Sequence, residues 1–100
     1  MAKIKTKTIR WNPSPDSDVA VYRVYYTKGS AVDYTNPFIE TANAEVVAPN
    51  DFPTDAFDED TDYTVGVTAV DDQGNESDMV VLSHPFDFIP PAPVAGLEIV

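Results

Sequence analysis

Residues 57–70 read Phe-Asp-Glu-Asp-Thr-Asp-Tyr-Thr-Val-Gly-Val-Thr-Ala-Val, an acidic corner that leads into a run of alternating side chains. Side chains along a β-strand point to its two faces in turn. One face of this run therefore carries Tyr63, Val65, Val67 and Ala69, and the other carries Thr64, Gly66 and Thr68. The pattern predicts a strand over residues 61–70 that packs its apolar face on a hydrophobic core.

Five further segments have the composition of strands, namely residues 4–11, 19–27, 38–41, 44–48 and 78–83. The segment 19–27 has apolar or aromatic side chains on both faces, which predicts a central strand, whereas 38–41 is predicted to be a short edge strand. Turn-forming residues separate the segments, and no stretch has a helical period. Short strands at intervals of about 8 to 12 residues predict an all-β, antiparallel sandwich of about seven strands.

Composition sets limits on the function. The 100 residues suffice for one domain, and the absence of cysteine excludes disulfides and thiolate metal sites. The net charge is −11, and residues 51–100 contain twelve acidic side chains and no basic one. Such a surface repels phosphate, so nucleic acid is not an expected partner. No apolar run approaches the roughly 20 residues that cross a bilayer, so no membrane insertion is expected.

Three stretches together resemble a fibronectin type III domain, over about residues 4–84. They are Ile9-Arg10-Trp11 as the second strand, residues 18–26 as the third, and the pattern from Phe57 through Tyr63 to Val70 as the sixth. The resemblance implies an immunoglobulin-like sandwich with fibronectin type III topology. Its core would consist of Trp11, Tyr22, Val24, Phe57, Tyr63, Val65 and Val67.

The resemblance also implies a tyrosine corner, in which the Tyr63 hydroxyl bonds to backbone a few residues upstream. Glu59 departs from the family pattern, since many members have proline there.

The resemblance divides the chain into a domain over residues 1–84, a proline-rich linker over 85–93 and a strand-like segment over 94–100. That last segment resembles the first strand of a following repeat. The alternative is a strand added to the edge of this sandwich or of a neighbour's, which would give a swapped dimer. A monomer is favoured over the swapped dimer.

The carboxylates of the acidic corner could form a calcium site, because calcium is bound by several oxygen atoms. It does not fit the helix-loop-helix calcium template, since Tyr63 lies where that loop needs glycine and Ala69 where it needs glutamate. We therefore predict a solvated acidic loop and no metal. His84 is the only histidine, and neither a nucleophile elbow nor a phosphate-binding glycine loop is present, so no cofactor and no catalytic activity are predicted.

Aromatic side chains concentrate binding energy at interfaces, so the candidate interaction surface consists of Tyr25, Tyr34, Phe38 and Phe52. The chain is predicted to be a structural or spacer and protein-interaction module that contacts the neighbouring domains of a larger protein. The alternative is a module that binds protein or polysaccharide through loops 12–18, 28–37 and 71–77. Residues 71–77 resemble repeats of secreted bacterial proteins, which implies an extracellular or cell-surface location.

Overall fold

A computed structural model describes residues 3–100 of the chain. These residues contain seven β-strands, joined by loops and turns, and no helix. The part of the chain so described therefore contains no helix long and apolar enough to cross a membrane. In chain order the strands are β1 (Lys7–Arg10), β2 (Val19–Lys28), β3 (Phe38–Thr41), β4 (Glu45–Ala48), β5 (Asp62–Asp71), β6 (Val80–Val81) and β7 (Phe86–Asp87).

The strands form two antiparallel sheets. One consists of β1 and β4, and the other has the order β3, β2, β5, β6, with β7 also pairing with β5. The two ten-residue strands β2 and β5 pair from Val19 opposite Asp71 to Lys28 opposite Tyr63, which makes them the centre of the larger sheet. The sequence-based predictions of a central strand at 19–27 and an edge strand at 38–41 are confirmed.

The hydrophobic core lies between the two sheets. Its buried members come from both sheets and from the segments beside them: Val24, Val46, Ala48, Phe52, Val65 and Phe88. The fold is accordingly an all-β, antiparallel sandwich. Of the predicted core residues, four are buried (Tyr22, Val24, Tyr63 and Val65) and three are half-buried at its margin (Trp11, Phe57 and Val67).

The end of the domain differs from the sequence-based expectation. The strand expected over residues 78–83 covers only Val80–Val81, and the chain then returns to the same edge of β5 as β7, with Phe86 opposite Tyr63. Pro85 lies between β6 and β7 and has no N–H group to donate to the ladder. Phe88 is only 4% exposed, so the first residues of the segment expected to be a linker pack on the core.

Both faces of β5 are covered. Thr64 and Thr68, on the face away from the core, are each 1% exposed. Part of the cover comes from Met79 and Val32, whose side chains lie so close to Gly66 that a β-carbon there would collide with the Met79 side chain. The connection between β2 and β3 therefore folds back over the outer face of the larger sheet.

The acidic corner surrounds a buried tyrosine. Tyr63 is 1% exposed, its ring packs edge-on against Phe57 with centroids 4.8 Å apart, and its hydroxyl accepts a hydrogen bond of 2.6 Å from the backbone N–H of Asp58. This is the contact that the tyrosine corner implies. The carboxylates of the corner point to solvent, and Asp58 forms an exposed ion pair of 2.8 Å with Lys28.

We expect Tyr63→Phe to lower the free energy of unfolding by about 1 to 3 kcal/mol, because the part-buried hydrogen bond between the Asp58 N–H and the hydroxyl of the buried Tyr63 is lost. Urea denaturation followed by tryptophan fluorescence measures the change. Tyr34→Phe is the matched control, since the Tyr34 hydroxyl donates to the Ser77 carbonyl at an exposed position and its loss should have a smaller effect. Equal midpoints for wild type and Tyr63→Phe would contradict the structural role of the hydroxyl.

Candidate interaction surface

Three aromatic rings form a patch on the outer face of the larger sheet, which we call the aromatic patch: Tyr25, Tyr34 and Phe38. The Tyr25 ring lies 5.8 Å from the ring of Tyr34 and 5.0 Å from that of Phe38, measured between centroids. Tyr34 is 51% exposed and Phe38 is 41% exposed, whereas Tyr25 is buried. The patch therefore has a buried floor and two exposed rings.

Two of the four predicted surface aromatics are not on the surface, and the prediction is corrected for Tyr25 and Phe52. Tyr25 belongs to the central strand β2 and is covered by the returning connection to β3, which leaves it 2% exposed. Phe52 is 6% exposed because a turn, closed by its N–H group donating to the Pro49 carbonyl, directs it into the core. Its ring there contacts the rings of Tyr26 and Phe57.

A polar network lies directly beside the patch and is centred on Glu76. One carboxylate oxygen of Glu76 accepts from the Arg23 guanidinium at 3.0 Å. The other accepts from the Tyr25 hydroxyl at 2.5 Å and from the Thr68 hydroxyl at 2.6 Å. Arg23 also donates to Glu40 at 3.0 Å and lies over the Phe38 ring at 4.6 Å. Glu76 thus ties the turn after β5 to the floor of the patch.

The charges of this network are fixed at neutral pH. Burial by itself would raise the pKa of Glu76, but the hydrogen bonds from Thr68 and Tyr25 and the Arg23 charge outweigh it and hold that pKa below its ordinary value. Burial, followed by the hydrogen bond to Glu76, raises the pKa of Tyr25. The carboxylate is therefore ionised and its tyrosine partner neutral. Both oxygens of the Glu76 carboxylate accept hydrogen bonds from Arg23, Tyr25 and Thr68. These bonds hold Tyr25, the floor of the aromatic patch, in place.

Two of the three predicted binding loops meet at one end of the sandwich. The N–H of Asp72 donates to the Asp18 carbonyl at 3.2 Å, which joins loops 12–18 and 71–77. The N–H of Ser14 donates to the hydroxyl of Tyr22 in β2 at 3.0 Å, which ties the first loop to the larger sheet. Loop 28–37 begins at the opposite end of β2 and reaches this region through Tyr34, whose hydroxyl donates to Ser77. The three loops do not form one continuous rim, because the third crosses the face of the sheet.

No three acidic or histidine side chains among residues 3–100 are grouped so that they could hold a metal ion. The side chains of the acidic corner point to solvent, and Asp58 is paired with Lys28. We therefore expect the melting temperature to be the same in chelator and in millimolar calcium. Circular dichroism measures it, with magnesium as the control for ionic strength. A rise in melting temperature with calcium alone would contradict this expectation.

Comparisons with protein-family models, with curated proteins and with solved structures found no match to this chain. The fold and the surface define an antiparallel β-sandwich that carries a fixed aromatic patch on its larger sheet.

Proposed function

We propose that this chain is a non-catalytic module of the fibronectin type III kind, which serves as a spacer and a protein-interaction domain in a larger extracellular or cell-surface protein. The order of the strands supports the topology. If β1 is the second strand of the family and β2 the third, then counting along the chain makes β5 the sixth, as the resemblance requires. The contact between Tyr63 and the Asp58 backbone supports it independently.

The aromatic patch is the observation that carries the interaction role. Tyr34 and Phe38 present apolar area to solvent, and the buried Tyr25 and the network around Glu76 hold them in place. A surface that is ordered before binding loses little conformational entropy on binding, which favours association. Arg23 and Glu40 beside the patch supply one donor group and one acceptor group to a partner. The net charge of −11 favours partners with basic surfaces through electrostatic steering.

A binding survey with a matched set of variants tests the proposal. The labelled chain is applied to an array of extracellular proteins and to an array of polysaccharides, and affinities are measured by interferometry. We expect a protein ligand whose affinity falls at least tenfold in Tyr34→Ala/Phe38→Ala, since truncated hot-spot residues cost about 2 kcal/mol or more. Ile89→Ala removes an apolar side chain of similar exposure elsewhere and should bind as the wild type does. Binding that is equal in all three proteins would overturn the role of the patch.

The alternative function is recognition of a ligand by loops, and one observation favours it. Loops 12–18 and 71–77 are joined by the hydrogen bond from Asp72 to Asp18, so they form one fixed edge with polar side chains. If this is the binding surface, a polysaccharide or protein ligand loses affinity in Asn12→Ala/Asp16→Ala and keeps it in Tyr34→Ala/Phe38→Ala. The two double variants thus distinguish the two functions.

A further inference from the structure

The more open edge of the smaller sheet belongs to β1. The N–H of Trp11 donates to the Ala44 carbonyl, and backbone groups point to alternate sides along an antiparallel ladder. The N–H and carbonyl groups of Thr8 and Arg10 therefore point away from β4, and within residues 3–100 no strand pairs with them.

On the opposite edge, which belongs to β4, the N–H and carbonyl groups of Val47 are both bonded to Asp51, at 2.7 and 2.8 Å, so only Glu45 has backbone groups directed outward without such a partner. Unpaired edge groups are a template for another strand. Strand addition to the smaller sheet is thus directed to β1.

An apolar groove runs along this open edge, between β1 and β6. It has a volume of about 260 Å³ and is lined in part by Ile9, Trp11, Val65, Val67, Val81 and Leu82. Val80, Val81 and Leu82 are 76%, 44% and 38% exposed, so three consecutive apolar side chains are open to solvent beside the groove. A strand added to β1 would place every second side chain over this groove.

The chain contains a segment with the matching pattern. Residues 94–100 read Val-Ala-Gly-Leu-Glu-Ile-Val, and if Gly96 leaves its positive φ of 69° and the segment extends, alternation puts Ala95, Leu97 and Ile99 on one face. Leu97 is 92% exposed and Ile99 is completely exposed. The only charged side chain of the segment is Glu98, on the opposite face, and the outward face of β1 carries Arg10, whose exposed guanidinium also pairs with Glu45 at 3.3 Å. The pattern and the charges of the segment are complementary to those of the open edge.

The segment lies clear of its own sheets. The molecule measures 66 Å along its longest axis and 24 and 22 Å across, and residues 94–100 are exposed throughout. Pro90, Pro91 and Pro93 precede it, and proline-rich chain is extended and stiff. These prolines oppose the reversal that would bring the segment back to its own β1, so the matching edge is that of another molecule.

We propose that residues 94–100 of one molecule add as an edge strand to β1 of a second copy, with Ala95, Leu97 and Ile99 over the apolar groove and Glu98 on the side of Arg10. A contact of seven residues buries less than the roughly 1,200 Å² of a stable complex. The dissociation constant is therefore expected on the order of 0.1 to 1 mM. At low concentration the chain is therefore expected to be a monomer.

Sedimentation of the full chain over a concentration series tests the proposal. The average mass is expected to rise as the concentration approaches about 1 mM. Leu97→Glu/Ile99→Glu should remain a monomer throughout, because it places charge over the groove. Val94→Glu/Val100→Glu adds the same charge to the opposite face and should associate as the wild type does. All four side chains are exposed in the monomer, so neither double variant is expected to change its stability.

A mixing experiment tests the direction of the contact. Leu82→Glu places a charge in the groove and leaves residues 94–100 unchanged. Leu97→Glu/Ile99→Glu places charges on that segment and leaves the groove unchanged. Each should be a monomer alone, and a mixture of the two should form a heterodimer. Three results would overturn the proposal: a wild-type mass that does not rise, association that persists in Leu97→Glu/Ile99→Glu, or amide protection of residues 94–100 in the monomer. The last result would show that residues 94–100 dock on their own domain.

Discussion

Phe88→Ala is expected to lower the free energy of unfolding by about 3 to 5 kcal/mol, which is the usual cost of removing a buried phenylalanine ring. Phe88 is 4% exposed, and its ring centroid lies 5.3 Å from that of Phe57 and 5.8 Å from that of Phe86. The Lys7 ammonium group lies over the same ring at 4.8 Å. The truncation leaves a cavity that these neighbours can fill only in part. Equilibrium unfolding in urea measures the loss.

The adjacent residue is the control. Ile89 is 44% exposed, so Ile89→Ala removes an apolar side chain of the same segment from a position that contributes little. A change of about 0.5 kcal/mol or less is expected there. If Phe88→Ala were as stable as Ile89→Ala, residues 86–88 would belong to the linker, and the domain would end at residue 84 as the resemblance implies.

The central part of the fold could be predicted because it is strongly patterned. β2 and β5 each hold ten residues, long enough for alternation and β-branched composition to identify them, and Tyr63 adds a position-specific signal. β7 has only two residues, so alternation cannot reveal it. The prolines at 85, 90, 91 and 93 indicate a linker by composition, and the burial of Phe88 between them depends on contacts that are distant in sequence.

Only two of the four aromatic residues predicted for the candidate surface are exposed. Tyr34 and Phe38 are exposed as expected. The burial of Tyr25 and Phe52 depends on the path of the loops around them, and local sequence does not determine that path. Glu76 lies in a turn with several other acidic residues, so no local pattern distinguishes it. A signal for its role exists in retrospect, because polar groups on the outer face of two central strands, such as Thr68, require a buried hydrogen-bond partner.

Glu76→Ala is expected to lower the free energy of unfolding by about 2 to 4 kcal/mol, because it leaves two buried hydroxyl groups without their acceptor. The hydroxyls belong to Tyr25 and Thr68, which are 2% and 1% exposed. Arg23 loses the less exposed of its two carboxylate partners at the same time. Glu40→Ala is the matched control, since it removes only the partner that is 47% exposed, and a much smaller loss is expected. Urea midpoints of the two variants measure the difference.

The same carboxylate should make stability depend on pH. A glutamate that titrates lower in the folded state than its ordinary pKa of about 4.3 stabilises the fold above that value, and the contribution is lost as the pH falls through the folded-state pKa. Glu76 has such a lowered pKa, so wild type should lose more stability than Glu76→Gln when the pH falls from near neutral to about 3. The pKa values of Asp33 and Asp71 are also lowered by hydrogen bonds, but both groups are present in each protein, so their contributions cancel in the comparison. Equal losses in the two proteins would mean that Glu76 makes no net favourable interaction in its charged form, and the network would then not be what holds the aromatic patch in place.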